Sequence, residues 1–98
     1  MRYKVQVREQ VKCFIDTLAP ESRRRIRLGL RGLETERGDC LPLREKLSGN
    51  HRLRIGGHRI VYRYLPGKVI ECVFAEERSL IFHLFEQDFL KHLRQETK

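Results

Sequence analysis

Residues 52–64 predict a β-hairpin more strongly than any other part of this chain. Two stretches that alternate apolar and charged residues flank Gly56-Gly57, and glycine accepts the positive φ angles that a two-residue hairpin turn requires. With this turn, Arg54 lies opposite Arg59. Because successive side chains of a strand point to opposite faces, the hairpin has one apolar face and one arginine face.

The arginine face carries four guanidinium groups, those of Arg52, Arg54, Arg59 and Arg63. Like charges directly opposite each other on paired strands are destabilising, and a polyanion lying across this face would offset the repulsion. The pattern therefore favours a phosphate-bearing ligand. The alternative is a solvated face that gives solubility, with Arg63 pairing with Glu71 across the next hairpin.

Composition limits the class of protein. The chain has 98 residues and a formal net charge of +8, with 40% hydrophobic and 35% charged residues. We expect one domain, residues 1–98, with a single core. No apolar run approaches the roughly 20 residues of a membrane span, and the N-terminus lacks the apolar stretch of a signal peptide. These features predict a cytoplasmic protein without a membrane partner, and the charge favours nucleic acid or an acidic protein.

The three cysteines give no sign of a cofactor or a disulfide. Cys13, Cys40 and Cys72 are odd in number and widely spaced, without a Cys-x-x-Cys pair. We expect buried free thiols in a reducing compartment rather than a disulfide or metal site.

Hydrophobic periodicity predicts an α+β fold in the order β-α-α-β-β-β-α, an antiparallel sheet with helices packed on one face. A strand begins the chain and a helix follows from about residue 8. Pro20 breaks the chain, the second helix opens at Glu21 and closes at Gly38, and a polar connection follows it. The later elements are predicted at about 51–55, 58–64, 69–76 and, for the last helix, 80–94.

The loop at Pro66-Gly67 decides which side chains share the core. An odd number of loop residues is predicted there, because a slip of one residue would move every side chain to the opposite face. The core face then holds Ile60, Tyr62, Ile70, Cys72 and Phe74. The opposite face is expected to be open and to carry the arginines.

Two passages of the sequence resemble the RelE/ParE superfamily of bacterial type II toxin–antitoxin toxins. Residues 46–64 are similar to the family pattern L-x-G-x-x-R-x-R-x-G-x-x-R-x-x-Y, and residues 77–82 to the pattern H-R-x-x-x-Y. The order of elements extends the resemblance over nearly the whole chain. It implies a microbial-ribonuclease-type fold and, for members similar to RelE, cleavage of mRNA in the ribosomal A site without a metal or other cofactor.

The resemblance implies a catalytic role for four arginines. By motif position, Arg52 and Arg54 match a basic pair on the first central strand. Arg59 matches the most diagnostic arginine, and Arg78 matches the one before the last helix. In such a site a ribose 2′-OH attacks the adjacent phosphate and cations stabilise the developing charge. Arginine suits this role because its fork binds phosphate oxygens in two places and keeps its charge.

The sequence departs from the family pattern where protons are transferred. Phe82 stands at the position of the family tyrosine, and a phenyl ring has no hydroxyl. Glu77 replaces a histidine, and Glu76 stands where some members carry a basic group. A carboxylate beside a phosphate-binding face repels RNA unless it acts as a general base.

Three histidines are alternatives for the missing acid–base group: His51, His58 and His83. The hairpin register places His58 on the core face. The further residues that we expect to contact substrate are Arg63, Phe82 and His83.

The resemblance also implies partners and leaves three functions open. The partners are a cognate RelB-like antitoxin and mRNA on the ribosome, with a possible toxin–antitoxin heterotetramer on operator DNA. The protein is an mRNA endonuclease, a ParE-like toxin that acts on DNA gyrase without cleaving RNA, or an inactive toxin that keeps antitoxin or RNA binding. A basic run on the second helix, Arg23, Arg24, Arg25 and Arg27, is either a solvated face or a contact for ribosomal RNA or an acidic antitoxin.

Overall fold

The computed structural model describes residues 2–77 of the chain. Its elements are β1 (Lys4–Val7), α1 (Glu9–Asp16), α2 (Pro20–Leu33), β2 (Asp39–Pro42), a 3-10 helix (Glu45–Leu47), β3 (Asn50–Ile55), β4 (His58–Leu65) and β5 (Val69–Glu77). The predicted α+β class is confirmed, and so are the predicted hairpin strands. The predicted last helix, 80–94, lies outside the described residues.

Five strands form one mixed sheet in the order β1-β5-β4-β3-β2. The three predicted strands β3, β4 and β5 pair antiparallel, as expected, and β2 also pairs antiparallel with β3. Strand β1 pairs parallel with β5, which corrects the prediction of a wholly antiparallel sheet. The polar connection predicted after the second helix contains β2, which sequence reasoning missed. As an edge strand, β2 tolerates Pro42, which would interrupt the hydrogen-bond ladder of a central strand.

The second helix ends at Leu33 and not at Gly38. Backbone N–H groups of Glu36 and Arg37 donate to the carbonyl oxygens of Leu33 and Gly32, at 3.0 and 2.9 Å. This is a Schellman motif, in which the residue after the cap takes a left-handed conformation. That residue is Glu36, with φ 57°. The predicted end at Gly38 is therefore too late, because here a glutamate and not a glycine takes the left-handed conformation.

Both helices pack on one face of the sheet. The main core contains the buried residues Val11, Ile15, Ile26, Leu33, Leu53, Ile60, Tyr62, Ile70, Cys72 and Ala75. A Cβ at Gly29 of α2 would overlap the side chain of Ile55 on β3. Glycine at this position therefore lets the helix approach the sheet closely. Within residues 2–77, neither helix is long and apolar enough to cross a membrane.

A β-bulge in β5 changes the predicted core. The three-residue loop after Leu65 gives the predicted odd count, but the pairing shifts between Val61 and Tyr62, and Val73 is the extra residue. Beyond a bulge the faces of the strand exchange. The prediction that Phe74 lies in the main core is therefore wrong: Phe74 lies on the opposite face, and Ala75 takes the core position.

Candidate functional site

The arginine face has the predicted hairpin register and a neutral row of charges. Arg54 pairs with Arg59 across β3 and β4. Each arginine has a carboxylate on its other side, because Arg54 is opposite Asp39 on β2 and Arg59 is opposite Glu76 on β5. The row Asp39–Arg54–Arg59–Glu76 contains two cations and two anions, so the like-charge repulsion is offset within the protein.

Arg59 forms an ion pair with Glu76. The Nη2 atom of Arg59 donates to Oε2 of Glu76 at 2.8 Å, and the two side chains are only 13% and 17% exposed. The bulge makes this contact possible: without the extra residue Val73, Ala75 would lie opposite Arg59. Glu76 thus belongs to the arginine face.

Glu71 is held between two arginines. The Nε and Nη2 atoms of Arg8 donate to both oxygens of Glu71 at 2.9 and 3.0 Å, and Arg63 donates to Oε1 at 2.9 and 3.0 Å. The hydrogen bond from Arg8, with that from Arg63, lowers the pKa of the Glu71 carboxyl. The predicted Arg63–Glu71 pair is confirmed. Sequence reasoning missed Arg8, because only the parallel β1–β5 pairing brings it here.

The predicted open face is partly apolar and covered, which corrects the sequence interpretation. A second cluster of buried side chains lies on this face: Leu47, Val61, Val73 and Phe74, with Leu43 packed against it. Arg52, opposite Val61, is 9% exposed. Its Nη2 atom is 3.9 Å from Asp39, and its Nη1 atom has no hydrogen-bond partner. A buried guanidinium with unused donors suits an anion that enters the site.

Arg54 is the exposed member of the predicted arginine set that the structure describes. No acidic side chain within residues 2–77 lies within 4.0 Å of its guanidinium. An anion that reaches this face therefore meets Arg54 first, with the paired Arg59 one strand away.

The described histidines lie on the helix side of the sheet. His51 stacks on Tyr62 with ring centroids 5.3 Å apart. His58, as predicted, is on the core face, where its ring meets Phe14 at 5.8 Å. Glu77 is opposite His58 and shares that side. None of His51, His58 and Glu77 joins the arginines, so the hypothesis that one of them serves this site is wrong for the described arrangement.

Three predicted site residues, Arg78, Phe82 and His83, lie outside the described residues. Among residues 2–77, no three His, Cys, Asp or Glu side chains are grouped to hold a metal ion. The thiols are free, but only Cys72 is buried, which corrects the expectation for Cys13 and Cys40. Burial raises the pKa of the Cys72 thiol to about 12.

Gln10 is a positioning residue that the sequence did not reveal. Its side-chain oxygen accepts from the backbone N–H of Ala75 at 2.8 Å, and its nitrogen donates to the Ala75 carbonyl at 2.9 Å. Since β1 pairs with β5 only as far as Cys72, Gln10 satisfies the backbone of β5 beyond that point. It thereby fixes the strand next to Glu76.

Comparison with known proteins identifies the fold. The sequence matches no protein-family model and no curated protein. A chain of the archaeal RelE–RelB complex from Pyrococcus horikoshii OT3 is 26% identical with a TM-score of 0.68, over 82% of this chain and 99% of that one. A chain of the toxin–antitoxin complex RelBE2 from Mycobacterium tuberculosis is 19% identical with a TM-score of 0.67, over 80% and 100%.

A third structure, the YoeB/ParE toxin from Agrobacterium tumefaciens, is 19% identical with a TM-score of 0.63, over 78% of this chain and 99% of that one. The similar chains are thus matched over nearly their full lengths. The fold is that of the RelE-like toxins of toxin–antitoxin systems, which confirms the resemblance stated from the sequence.

Proposed function

We propose that this protein is the toxin of a type II toxin–antitoxin system and acts as a ribosome-dependent mRNA endonuclease. The observation that carries the proposal is the Arg54–Arg59 pair on the sheet of a RelE-like fold, with Arg54 exposed. Directly opposite residues have Cα atoms about 4.5–5.5 Å apart. Two guanidinium groups at that spacing are able to bind one phosphate.

The proposed reaction needs three groups on this face. A ribose 2′-OH attacks the adjacent phosphate to form a 2′,3′-cyclic phosphate, and the 5′-oxygen leaves with a proton taken from water. Arg54 and Arg59 stabilise the charge on the phosphorane. Glu76 is our candidate to accept the 2′-OH proton, because its carboxylate lies on the arginine face beside Arg59.

A cognate antitoxin is the proposed protein partner, and the groove beside β1 suits it. β1 forms one edge of the described sheet, and a groove of about 230 Å³ beside it is lined by three apolar residues, two arginines and one glutamate: Val5, Val7, Leu30, Arg27, Arg31 and Glu34. An extended segment can add to an edge strand, and acidic side chains would complement the arginines. In this proposal the pair also assembles as a heterotetramer on operator DNA.

One observation favours the alternative of a toxin that does not cleave RNA. Arg59 and Arg63 are neutralised by Glu76 and Glu71, so much of the arginine face serves internal ion pairs. A ParE-like toxin that acts on DNA gyrase, or an inactive toxin that still binds its antitoxin, does not need arginines that are available to bind phosphate.

Controlled expression in bacteria tests the proposal. We expect growth arrest and, by primer extension on a reporter mRNA, translation-dependent cuts within codons. Arg54→Ala should abolish the cuts while the protein stays folded, because Arg54 is exposed. Lys12→Ala, which removes an exposed cation of α1, should leave them unchanged.

The other outcomes separate the alternatives. Arrest with DNA damage and intact mRNA would assign the protein to a gyrase-type target. No arrest, with antitoxin binding retained, would assign it to the inactive class.

A further inference from the structure

Helix α2 carries a row of arginines on the side that faces away from the sheet. In an α-helix, residues three, four and seven apart lie on one face. Arg24, Arg27 and Arg31 have this spacing and are exposed, and Arg23 lies beside them, half-buried. We call these four residues the α2 stripe. The buried residues of α2, Ile26 and Leu33, lie on the opposite side.

No arginine of the α2 stripe forms an ion pair within residues 2–77, and Glu34 is the acidic residue that lines the two grooves beside Arg31. Within residues 2–77, no acidic side chain lies within 4.0 Å of any of its four guanidinium groups, and the nearby ion pairs use other arginines, Arg25 with Glu21 and Arg2 with Glu34. Like charges three or four residues apart destabilise a helix, and cations near the N-terminal half oppose the helix dipole. Within residues 2–77 this repulsion is not offset by an ion pair, and an external anion would offset it.

The positive surface continues past the end of the helix. A groove of about 390 Å³ at the C-terminal end of α2 is lined by Arg31 of the stripe together with Arg2 and Arg37, and by Glu34, which pairs with Arg2. Residues 23 to 31 alone span about 12 Å along the helix axis. The ligand must therefore present several negative charges along a line.

We propose that the α2 stripe binds the phosphate backbone of double-helical RNA. Arginine forks bind phosphate oxygens in pairs, and none of the described residues that line the grooves beside Arg27 and Arg31 is aromatic, so a base finds no ring on which to stack. Contacts of this kind position a protein without reading sequence. Because the helices and the sheet arginines lie on opposite faces of the sheet, this RNA would be held while the sheet face stays accessible.

An acidic protein segment explains less of the stripe. The apolar groove beside β1 is bordered by Arg27 and Arg31 only, and Arg23 and Arg24 lie outside it. A protein partner in that groove would leave half of the stripe unused, whereas a phosphate backbone along the helix contacts all of it. An antitoxin in the groove would compete with the RNA for the two shared arginines.

The test measures the binding of an RNA duplex of about 16 base pairs to the full chain, by fluorescence anisotropy at a series of salt concentrations. The stripe variant is Arg24→Gln/Arg27→Gln/Arg31→Gln. The control variant, Lys12→Gln/Lys46→Gln/Lys68→Gln, loses the same net charge at exposed positions elsewhere. We expect the stripe variant to bind at least about tenfold more weakly at about 100 mM salt, and its salt slope to fall by about 2 to 3. The control should change far less.

Three outcomes would overturn the proposal. The first is an equal loss of duplex affinity in the stripe variant and the control variant. The second is no duplex binding by the natural chain. The third is that the stripe binds polyglutamate but does not bind the duplex. Duplex binding does not require cleavage. A protein that binds the duplex through the stripe but leaves mRNA intact would disprove the endonuclease and keep this inference.

Discussion

The two arginine surfaces of this protein differ in how their charge is balanced. On the sheet, Arg59 and Arg63 are largely buried and bonded to Glu76 and Glu71. On α2 the stripe arginines stand mostly in solvent without acidic partners among residues 2–77. Burial explains the difference, since an unpaired charge is costly away from water and nearly free within it. A basic run in a sequence therefore says little about available charge until burial is known.

The largest expected effect lies at Glu71, the most heavily bonded group of the sheet surface. Glu71→Gln leaves Arg8 and Arg63 facing each other without a counter-charge, and loss of one partner of a buried ion pair costs about 3 kcal/mol. We expect the free energy of unfolding, measured with urea at pH 7, to fall by about this amount. Glu21→Gln, at an exposed α2 pair, should change it little. Similar losses at both sites would contradict the comparison.

The stability difference between the natural chain and Glu71→Gln should also depend on pH. Hydrogen bonds from Arg8 and Arg63 lower the pKa of Glu71 in the folded state below its ordinary value of 4.5. The stabilisation is therefore complete above that value and disappears as the pH falls through the folded pKa. The stability difference between the natural chain and Glu71→Gln should shrink when urea titrations are repeated at decreasing pH below about 4.5. A constant difference would mean that charge is not its cause.

A smaller coupling is expected between Arg59 and Glu76. A double-mutant cycle with Arg59→Ala and Glu76→Ala should give an interaction free energy of about 1–2 kcal/mol. The reason is the 2.8 Å contact between side chains less than a fifth exposed. The matched cycle on Arg25 and Glu21, 3.5 Å apart and exposed, should give about 0.3–0.5 kcal/mol. Equal coupling energies would remove the distinction between the two surfaces.

The position of α2 over the sheet depends on a glycine, and this can be tested with two alanine substitutions. Gly29→Ala gains helix propensity but forces Ile55 to move, so we expect a net loss of about 1 kcal/mol. At Gly32 the nearest atom to an added Cβ is the Arg37 carbonyl oxygen at 3.5 Å, and alanine should stabilise by about 0.5 kcal/mol. Thermal unfolding of the two variants measures both. A gain at Gly29 would show that the helix does not need this close approach.

Local turn chemistry explains which parts of the fold the sequence could predict. The Gly56-Gly57 turn and the loop after Leu65 depend on neighbouring residues, so the Arg54–Arg59 register followed from pattern alone. The bulge at Val73 depends on a contact 65 residues away in sequence, between Gln10 and Ala75. Pattern reasoning therefore placed the arginines correctly and missed the carboxylate that reaches Arg59.

The parallel β1–β5 pairing likewise creates a contact of Glu71 that the sequence pattern could not predict. Its Arg63 contact was predictable across a short hairpin, whereas its Arg8 contact spans 63 residues. Strand β2 was missed because Asp39 and Pro42 have weak strand propensity, and pairing with β3 outweighs it. The sequence pattern also could not predict which arginines are exposed, because the second apolar cluster forms only when the bulge places Phe74 on the arginine face.

The smallest effect has the opposite sign and distinguishes the two surfaces most directly. Arg27 lies three residues from Arg24 and four from both Arg23 and Arg31, so Arg27→Gln relieves three like-charge contacts worth about 0.2–0.5 kcal/mol each. We expect a slight gain in the free energy of unfolding at low salt, and the gain should vanish at high salt because exposed charges are screened. Arg63→Gln on the sheet should destabilise at both salt concentrations. A loss at Arg27 that persists in high salt would mean that the stripe is held by contacts within the protein and does not wait for an external anion.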